Sequence, residues 1–594
     1  MFTKAFNAIF MTRPFWNEVN VPQRLVLKIY KEYLGTKNMI ITSRAESIKY
    51  ISPIVNRLQR EILDWIKSTN TNQVIKDLYQ IFDKCFRLYI TEKEARKQLV
   101  DLNISDDDIL DAFNCNRNMA VNVLNAVNLW LENAVLYQNE ADPAQISEDS
   151  TADSELFVKL YLYGLTSKAL SLLSLSRKFK EKELFYGINL SFESNEPIDV
   201  IRYHPVIYYN PALTGNQDAF NLTVDDYKQV DRSVFGIGFQ KEHGLSFLLS
   251  IRLISTFQKY LLEDGKYAHV VISKSHFLEL ITQYSSGEID AQRFFDAFTL
   301  TKSNVASHLR KSDDLIWIMG TNKYRHEIRP FICLENDNVA ISYMALDQSK
   351  NIWCSYFANG GMIYTTEKDW LTASIEERNS ELSQLLVKML RDTLRSQYHA
   401  DFDQIDVKYD AIFGHQNIDY GDYDIVFYTK DTNELFLIEA KFFSDSLNNS
   451  GAINDYQKLF EKNGYYDHCR NRCNLVIREK QSMKDFVSAT GNINAHFLFV
   501  SSKPLEIEFT DKDGIVSFPC FSIFENYLQG NLISEDGTSV IRSTIQLLKL
   551  WNICAKTSSW SLTIVTDCST PSNSSLSKLV YFLRARFIFF LIPI

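Results

Sequence analysis

The sequence predicts a multidomain α+β protein with an all-helical N-terminal region, a mixed α/β middle region and a C-terminal unit built round a β-hairpin. Three observations predict it. At 594 residues the chain exceeds what one hydrophobic core can serve, since single cores stop growing near about 250–300 residues. Hydrophobic residues at 45% and charged residues at 23% are ordinary globular usage, which excludes a disordered or fibrous chain. The hydrophobic period also changes along the chain, from helical spacing at the front to strand-like runs further on.

Residues 1–140 read as successive helices. Pro22 suits a first helical position ahead of Leu25, Ile29 and Tyr33, and Gly35 follows as a stop. Ser43 with Glu46, and Thr91 with Glu94, have the spacing of capping boxes, in which a hydroxyl and a carboxylate satisfy the free amides of a first turn. Residues 141–155, ADPAQISEDSTADSE, are too polar and acidic to bury a core and read as a linker. Residues 156–365 form the mixed region: an apolar helix over 156–174, a basic cluster of Arg177, Lys178, Lys180 and Lys182 of the kind solvated faces carry, strand-like runs at 200–209 and 339–343, and a helix over 244–262. Residues 531–594 read as a Ser/Thr-rich appendage. Its apolar end, 579–594, is interrupted by Arg584 and Arg586 and is shorter than the roughly 20 residues of a spanning helix, so no membrane association is expected.

Bulk chemistry narrows the function classes. A net charge of −10, from 63 basic and 73 acidic residues, excludes a chain that coats nucleic acid along its whole surface. Any polyanion has to meet a local basic patch. Nine scattered cysteines, an odd number, argue against a disulfide framework and for a reducing, cytoplasmic setting. The first residues lack the apolar run and cleavage site of a secretory signal. Cys469 and Cys473 beside His468 have helical ligand spacing, but no second Cys/His pair completes a zinc set. Kinase or ATPase chemistry lacks its Gly-rich Lys-Ser/Thr loop, serine hydrolysis its nucleophile elbow, and zinc proteolysis its helical His-Glu-x-x-His.

Chemistry concentrates in 421–443, GDYDIVFYTKDTNELFLIEAKFF, two apolar strands joined by a polar turn at Asp431, Thr432 and Asn433. Alternate strand side chains share a face, so Leu435, Leu437, Glu439 and Lys441 point one way and Phe436, Ile438, Ala440 and Phe442 the other. A carboxylate and an ammonium at the end of an apolar face need a partner or a metal. Asp424, interrupting the neighbouring strand, supplies a second carboxylate. Two such acids suit a hard divalent cation, and Lys441 suits charge developing on phosphate.

The Asp424 strand followed by Glu439-Ala440-Lys441 resembles the signature of the PD-(D/E)xK nuclease superfamily. The resemblance implies a restriction-endonuclease-like αβββαβ core over 366–530, Mg²⁺ or Mn²⁺ dependence, and metal ligation by Asp424, Glu439 and the Ala440 carbonyl. A helix over 374–398 would open that core, with a Ser374–Glu377 capping box, an apolar stripe of Leu382, Leu385, Leu386, Met389 and Leu390, and Glu381 as an extra catalytic carboxylate. A helix over 452–462 and a strand over 495–500 would follow, with Gln457 and Lys458 facing the site. The superfamily's proline is replaced by Tyr423, and Asp422 stands close enough to compete with Asp424. Asp419 and Asp422 suit turns.

Between Tyr456 and Lys484 stand seven basic residues, Lys458, Lys462, Arg470, Arg472, Arg478, Lys480 and Lys484, against the acidic Glu461, Asp467 and Glu479. Lys458, Arg470, Arg472 and Arg478 are therefore the candidate nucleic-acid contacts. The expectation is a metal-dependent nuclease, with DNA favoured over RNA, whose front half senses something, binds a protein partner or oligomerises. That layout resembles restriction and antiviral-defence effectors. The alternative is a noncatalytic nucleic-acid-binding or scaffold protein on the same fold.

Overall fold

A computed structural model describes residues 15–35, 39–41, 43–101, 107–138, 154–175, 185–190, 202–204, 224–263, 269–308, 324–360, 369–418, 420–444, 458–459, 464–502 and 516–529. The front of the chain is helical as its periodicity requires, over Gln23–Leu34, Arg44–Ser68, Thr71–Asp101 and Asp107–Leu136. Gly35 ends the first of these at a φ of 87°, a backbone conformation that disfavours other residues, and the Ser43 hydroxyl accepts from the Glu46 amide at 3.5 Å. Thr91, by contrast, starts nothing: it lies inside a helix that Val74, Leu78, Phe82 and Phe86 hold to the core, so packing overrides the local capping signal. The region is also not wholly helical, because Met39–Ile41 pairs antiparallel with Phe185–Leu190, which pairs in turn with Arg202–His204. The last segment is the described part of the run predicted at 200–209. The linker through residue 153 and the basic cluster at 177–182 lie outside the described residues.

The predicted break between the first two regions is not a break in the core. Helix Ser154–Leu175 packs with the N-terminal helices, and Leu300, Leu334, Ala340 and Met344 from the middle region join the same apolar cluster. Buried polar groups tie the two further. The His326 ring lies 2.7 Å from Asn128 Oδ1, its amide donates to Glu132 Oε1 at 3.1 Å, and the Tyr79 hydroxyl approaches its other nitrogen at 3.3 Å. A second core fills the middle region, where Trp353 meets Phe239, Phe247 and Phe298 edge-on beneath a four-stranded sheet. The strand expected at 339–343 is Asn338–Ser342. The helix expected from 244 begins instead at Phe247, because Gly244, at a φ of 69°, is the C-cap of a preceding helix, Val234–His243.

The C-terminal unit follows the order helix, three strands, helices, strand. Helix α1 (Trp370–Gln397) leads to β1 (Phe402–Lys408), the short α2 (Tyr409–Phe413), β2 (Asp422–Thr429) and β3 (Glu434–Lys441). Helices α3 (Tyr465–Arg478) and α4 (Lys480–Phe486) precede β4 (Asn494–Ser501), and β5 (Val516–Ser517) and α5 (Phe521–Gln529) close the unit. The sheet runs β5-β4-β3-β2-β1, with β1, β2 and β3 antiparallel and β4 and β5 parallel to β3. A parallel neighbour needs a crossover, and α3 and α4 lie in it. They cover one face through Leu435, Leu437, Cys473 and Val476, while α1 and α5 cover the other through Phe436, Ile438, Leu386 and Phe524. Of the helix expected at 452–462, Lys458 and Leu459 are described; residues 531–594 lie outside the described set. No described helix is long and apolar enough to cross a membrane.

Helix α1 serves two cores at once. Leu371 and Ile375 belong to the middle region, and from about two turns later onward Leu382, Leu386, Leu390 and Leu394 lie on the sheet. It starts a turn earlier than its capping signal suggested: Asp369 accepts from the Leu371 amide at 2.8 Å, and Ser374, inside the helix, donates to Leu371 O. Ser374 is small for a reason. It faces Gly238 on helix Val234–His243 so closely that a Cβ at 238 would stand 2.2 Å from its hydroxyl and 3.1 Å from the Trp370 carbonyl. Gly238→Val is expected to lower stability by about 1–3 kcal/mol, as overpacking of a close contact does. Thermal and urea unfolding of the two proteins would measure it, and equal midpoints would mean the helices separate at no cost.

Candidate functional site

The site forms where the β2–β3 ladder ends. Register pairs run from Glu434↔Thr429 to Ile438↔Ile425 and then stop. At the next position a side chain replaces the backbone: Asp424 Oδ2 accepts from the Ala440 amide at 2.6 Å. The strand also changes face here, since Ile425 packs under α1 whereas Tyr423, two residues away, packs under α3. In β1, Asp406 lies between the pairs Ile405↔Ile425 and Val407↔Tyr423 and takes a φ of 51°, so both strands bend together beside Asp424.

Asp424, Glu439 and Lys441 are brought together as the alternation of β3 requires. The Lys441 ammonium lies 2.5 Å from Glu439 Oε1 and 3.7 Å from Asp424 Oδ2. It also stands 5.3 Å from the centre of the Tyr465 ring at the start of α3. A fourth residue completes the cluster. Arg472, on α3 and 4% exposed, donates to Glu439 Oε2 at 2.5 Å and to the Asp422 carbonyl, and lies over the Tyr423 ring. Two acids and two cations thus share one largely buried pocket.

This corrects the reading of Arg472 as a surface contact for phosphate: the residue is interior and its charge is committed to Glu439. The remaining basic candidates do reach solvent. Lys458 is exposed, Arg470 is half-buried with one nitrogen on the Tyr466 hydroxyl at 3.0 Å, and Arg478 pairs with Glu479 at 3.1 Å on the surface. Gln457 lies outside the described residues. Glu381 pairs with Arg378 at 2.7 Å on α1, its side chain 44% exposed, and takes no part in the contacts that join the other two carboxylates. Asp422 is exposed and meets Arg472 through its carbonyl, which leaves Asp424 as the acid beside Glu439.

Burial, followed by the charge of Glu439, pushes the Asp424 carboxyl up to about 6, against the opposing pull of Lys441, the Ala440 amide and Arg472. Burial acts to lower the Lys441 ammonium, but Glu439 and Asp424 outweigh it and hold it above its ordinary value. Asp424 and Glu439 are neighbouring oxygen donors, the ligand type that Mg²⁺ and Mn²⁺ take. No group of three or more His, Cys, Asp or Glu side chains suited to a metal occurs among the described residues, so an ion here would complete its shell from backbone carbonyl, water or substrate oxygens. Cys469 and Cys473 are packing residues on the inner face of α3; burial pushes the Cys469 thiol up to about 12, far from a thiolate ligand.

Compared with known proteins, the chain matches no family model, no curated protein and no solved structure.

The raised carboxyl carries a stability signature. Folding lifts Asp424 from an unfolded value of about 3.9 to about 6, so its contribution is fully present below the lower value and lost as pH rises through the upper one. Asp424→Asn keeps the acceptor for Ala440 and removes the titration. Urea unfolding from pH 4 to 7 should show wild type losing stability relative to this variant across that window; parallel curves would exclude the raised carboxyl.

Proposed function

We propose that the chain is a metal-dependent nuclease that hydrolyses phosphodiester bonds, with DNA the favoured substrate and Asp424, Glu439 and Lys441 at the reacting centre. The observation that carries this reading is the convergence of two carboxylates from adjacent strands and one lysine where the β2–β3 ladder ends. The αβββαβ order of the unit supports the resemblance to PD-(D/E)xK nucleases, of which the Glu439-Ala440-Lys441 triplet is the sequence mark.

Asp424 and Glu439 would hold Mg²⁺ or Mn²⁺, with the Ala440 carbonyl as a further donor. The ion when bound polarises phosphate and makes a water molecule acidic enough to attack. The protein's own groups do the rest. Lys441, kept protonated by its two acidic neighbours, presents a positive charge that balances negative charge building on the phosphate oxygens. Asp424 is fixed by the Ala440 amide before any substrate arrives, and Arg472 fixes Glu439, so little reorganisation is left to the reaction. Lys458, Arg470 and Arg478 reach solvent in the crossover segment and would meet the phosphate backbone. A front half of two fused cores joined to this unit by one helix suits the sensor and effector arrangement of restriction or antiviral-defence proteins.

One observation favours the noncatalytic reading: the Glu439 carboxylate is already balanced by Lys441 and Arg472, so the pocket is neutral without a metal. Cleavage assays decide between the two. With Mg²⁺ or Mn²⁺ present, wild type should cut plasmid, linear or single-stranded DNA, or RNA, and Asp424→Ala and Lys441→Ala should each lose about 10²–10³-fold in rate. Equal cutting by all three would indicate a contaminant, and no cutting by any would leave the binding role. Because Asp424 must shed its proton to ligate, Mn²⁺ affinity should rise about tenfold per pH unit up to about 6 and level off above it. A flat calorimetric titration series from pH 5 to 8 would remove Asp424 from the ligand set.

A further inference from the structure

The two cations beside the carboxylates are held very differently. Lys441 has 27% of its side chain exposed, is a point charge on a flexible stem, and reaches both acids, Glu439 Oε1 at 2.5 Å and Asp424 Oδ2 at 3.7 Å. Arg472 has 5% of its side chain exposed and is gripped on several sides: Glu439 Oε2, the Asp422 carbonyl, the Cys469 sulfur at 3.8 Å and the face of Tyr423. Moving it would strand a charge in the interior.

We propose that Arg472 is a positioning residue that holds Glu439 in place and limits the site to a single divalent cation. The inference rests on the metal-site reading given above. Sites that bind two metals hold them about 3.5–4 Å apart on shared carboxylates. Here one oxygen of Glu439 belongs to a guanidinium that cannot leave, so only the Oε1 side, shared with Asp424 and screened by the movable Lys441, is open to an ion. Charge points the same way. With both carboxylates ionised, Asp424, Glu439, Arg472 and Lys441 sum to zero, so one dication leaves the cluster at +2 and a second would leave it at +4.

The test uses the full-length protein and Mn²⁺ alone, so it needs neither substrate nor turnover. Calorimetric titration should give one Mn²⁺ per chain, and electron paramagnetic resonance should show an isolated ion without spin coupling. Arg472→Lys should keep the count at one and weaken binding about tenfold, because the charge remains while the two-pronged grip on Glu439 and Asp422 is lost. Arg472→Gln should admit a second, spin-coupled Mn²⁺, a readout that a merely structural arginine would not move. Two coupled ions in wild type would overturn this inference while leaving the nuclease reading intact. A count that stays at one in a folded Arg472→Gln variant would also overturn the limiting role. No bound Mn²⁺ in wild type would overturn the metal-site reading itself and this inference with it. Where the glutamine variant fails to fold, Arg472→Lys carries the test, and unchanged Mn²⁺ affinity in that variant would overturn the positioning role.

Discussion

The contact between the Arg472 guanidinium and the Glu439 carboxylate is the constraint on which the C-terminal unit is organised. Both groups are interior, and a charge in such a place is tolerated only when paired and hydrogen-bonded. Removing one partner of a buried pair typically costs about 3–5 kcal/mol, more than most packing changes. The contact joins β3 to a helix within the crossover that follows it, so it fixes the rotation of α3 over β3. That rotation in turn brings Tyr465 to Lys441 and puts Cys469 and Cys473 inward, because residues spaced by three, four and seven share one face of a helix. One ion pair thereby links the packing of the sheet's face to the cluster where the β2–β3 ladder ends.

A second constraint acts over a longer range. Helix α1 is anchored in the middle region by Leu371 and Ile375 and in the sheet by its later leucines. Packed interiors are dense, so a helix shared between two of them holds both to one frame. The front half is itself joined by a common core and by the buried contacts of His326 with Asn128, Glu132 and Tyr79. Contiguous packed elements therefore run from the N-terminal helices to the sheet that carries the site.

How much of this was legible in the sequence follows from the kind of signal each part carries. The hairpin, its turn and the shared face of Glu439 and Lys441 follow from the two-residue period of a strand, which holds whatever the tertiary context. The helices of the front half follow from their apolar period in the same way. Starts and stops were less legible. Thr91 and Ser374 both carry capping spacing and both lie inside helices, because apolar faces continue past them into a core. The shared core of the first two regions was not visible at all, since an acidic segment at 141–155 reads as a boundary whether or not the elements on either side pack together. Arg472 sits in a run of basic residues, and local charge density does not separate surface from interior. A signal was nevertheless present: Arg472 falls at helical spacing among Cys469, Cys473 and Val476, and an arginine on the apolar stripe of a helix has to find a carboxylate in the interior.

The choice of lysine at 441 and arginine at 472 is consistent with a division of labour between the two cations. Arginine presents a planar fork that can serve a carboxylate and a carbonyl at once, which suits a permanent brace; lysine is a compact charge on a chain with several rotatable bonds, which suits a group that must give way. Exchanging the two would put the brace at the mouth and the movable charge in the interior. Asp424 shows the same economy. By replacing a backbone acceptor at the last rung of the ladder it satisfies an amide that the bend in β2 would leave open, and it does so with one carboxylate oxygen. The carboxylate is thus oriented by the fold itself, so the bend that ends the ladder is also what aims an acid into the pocket.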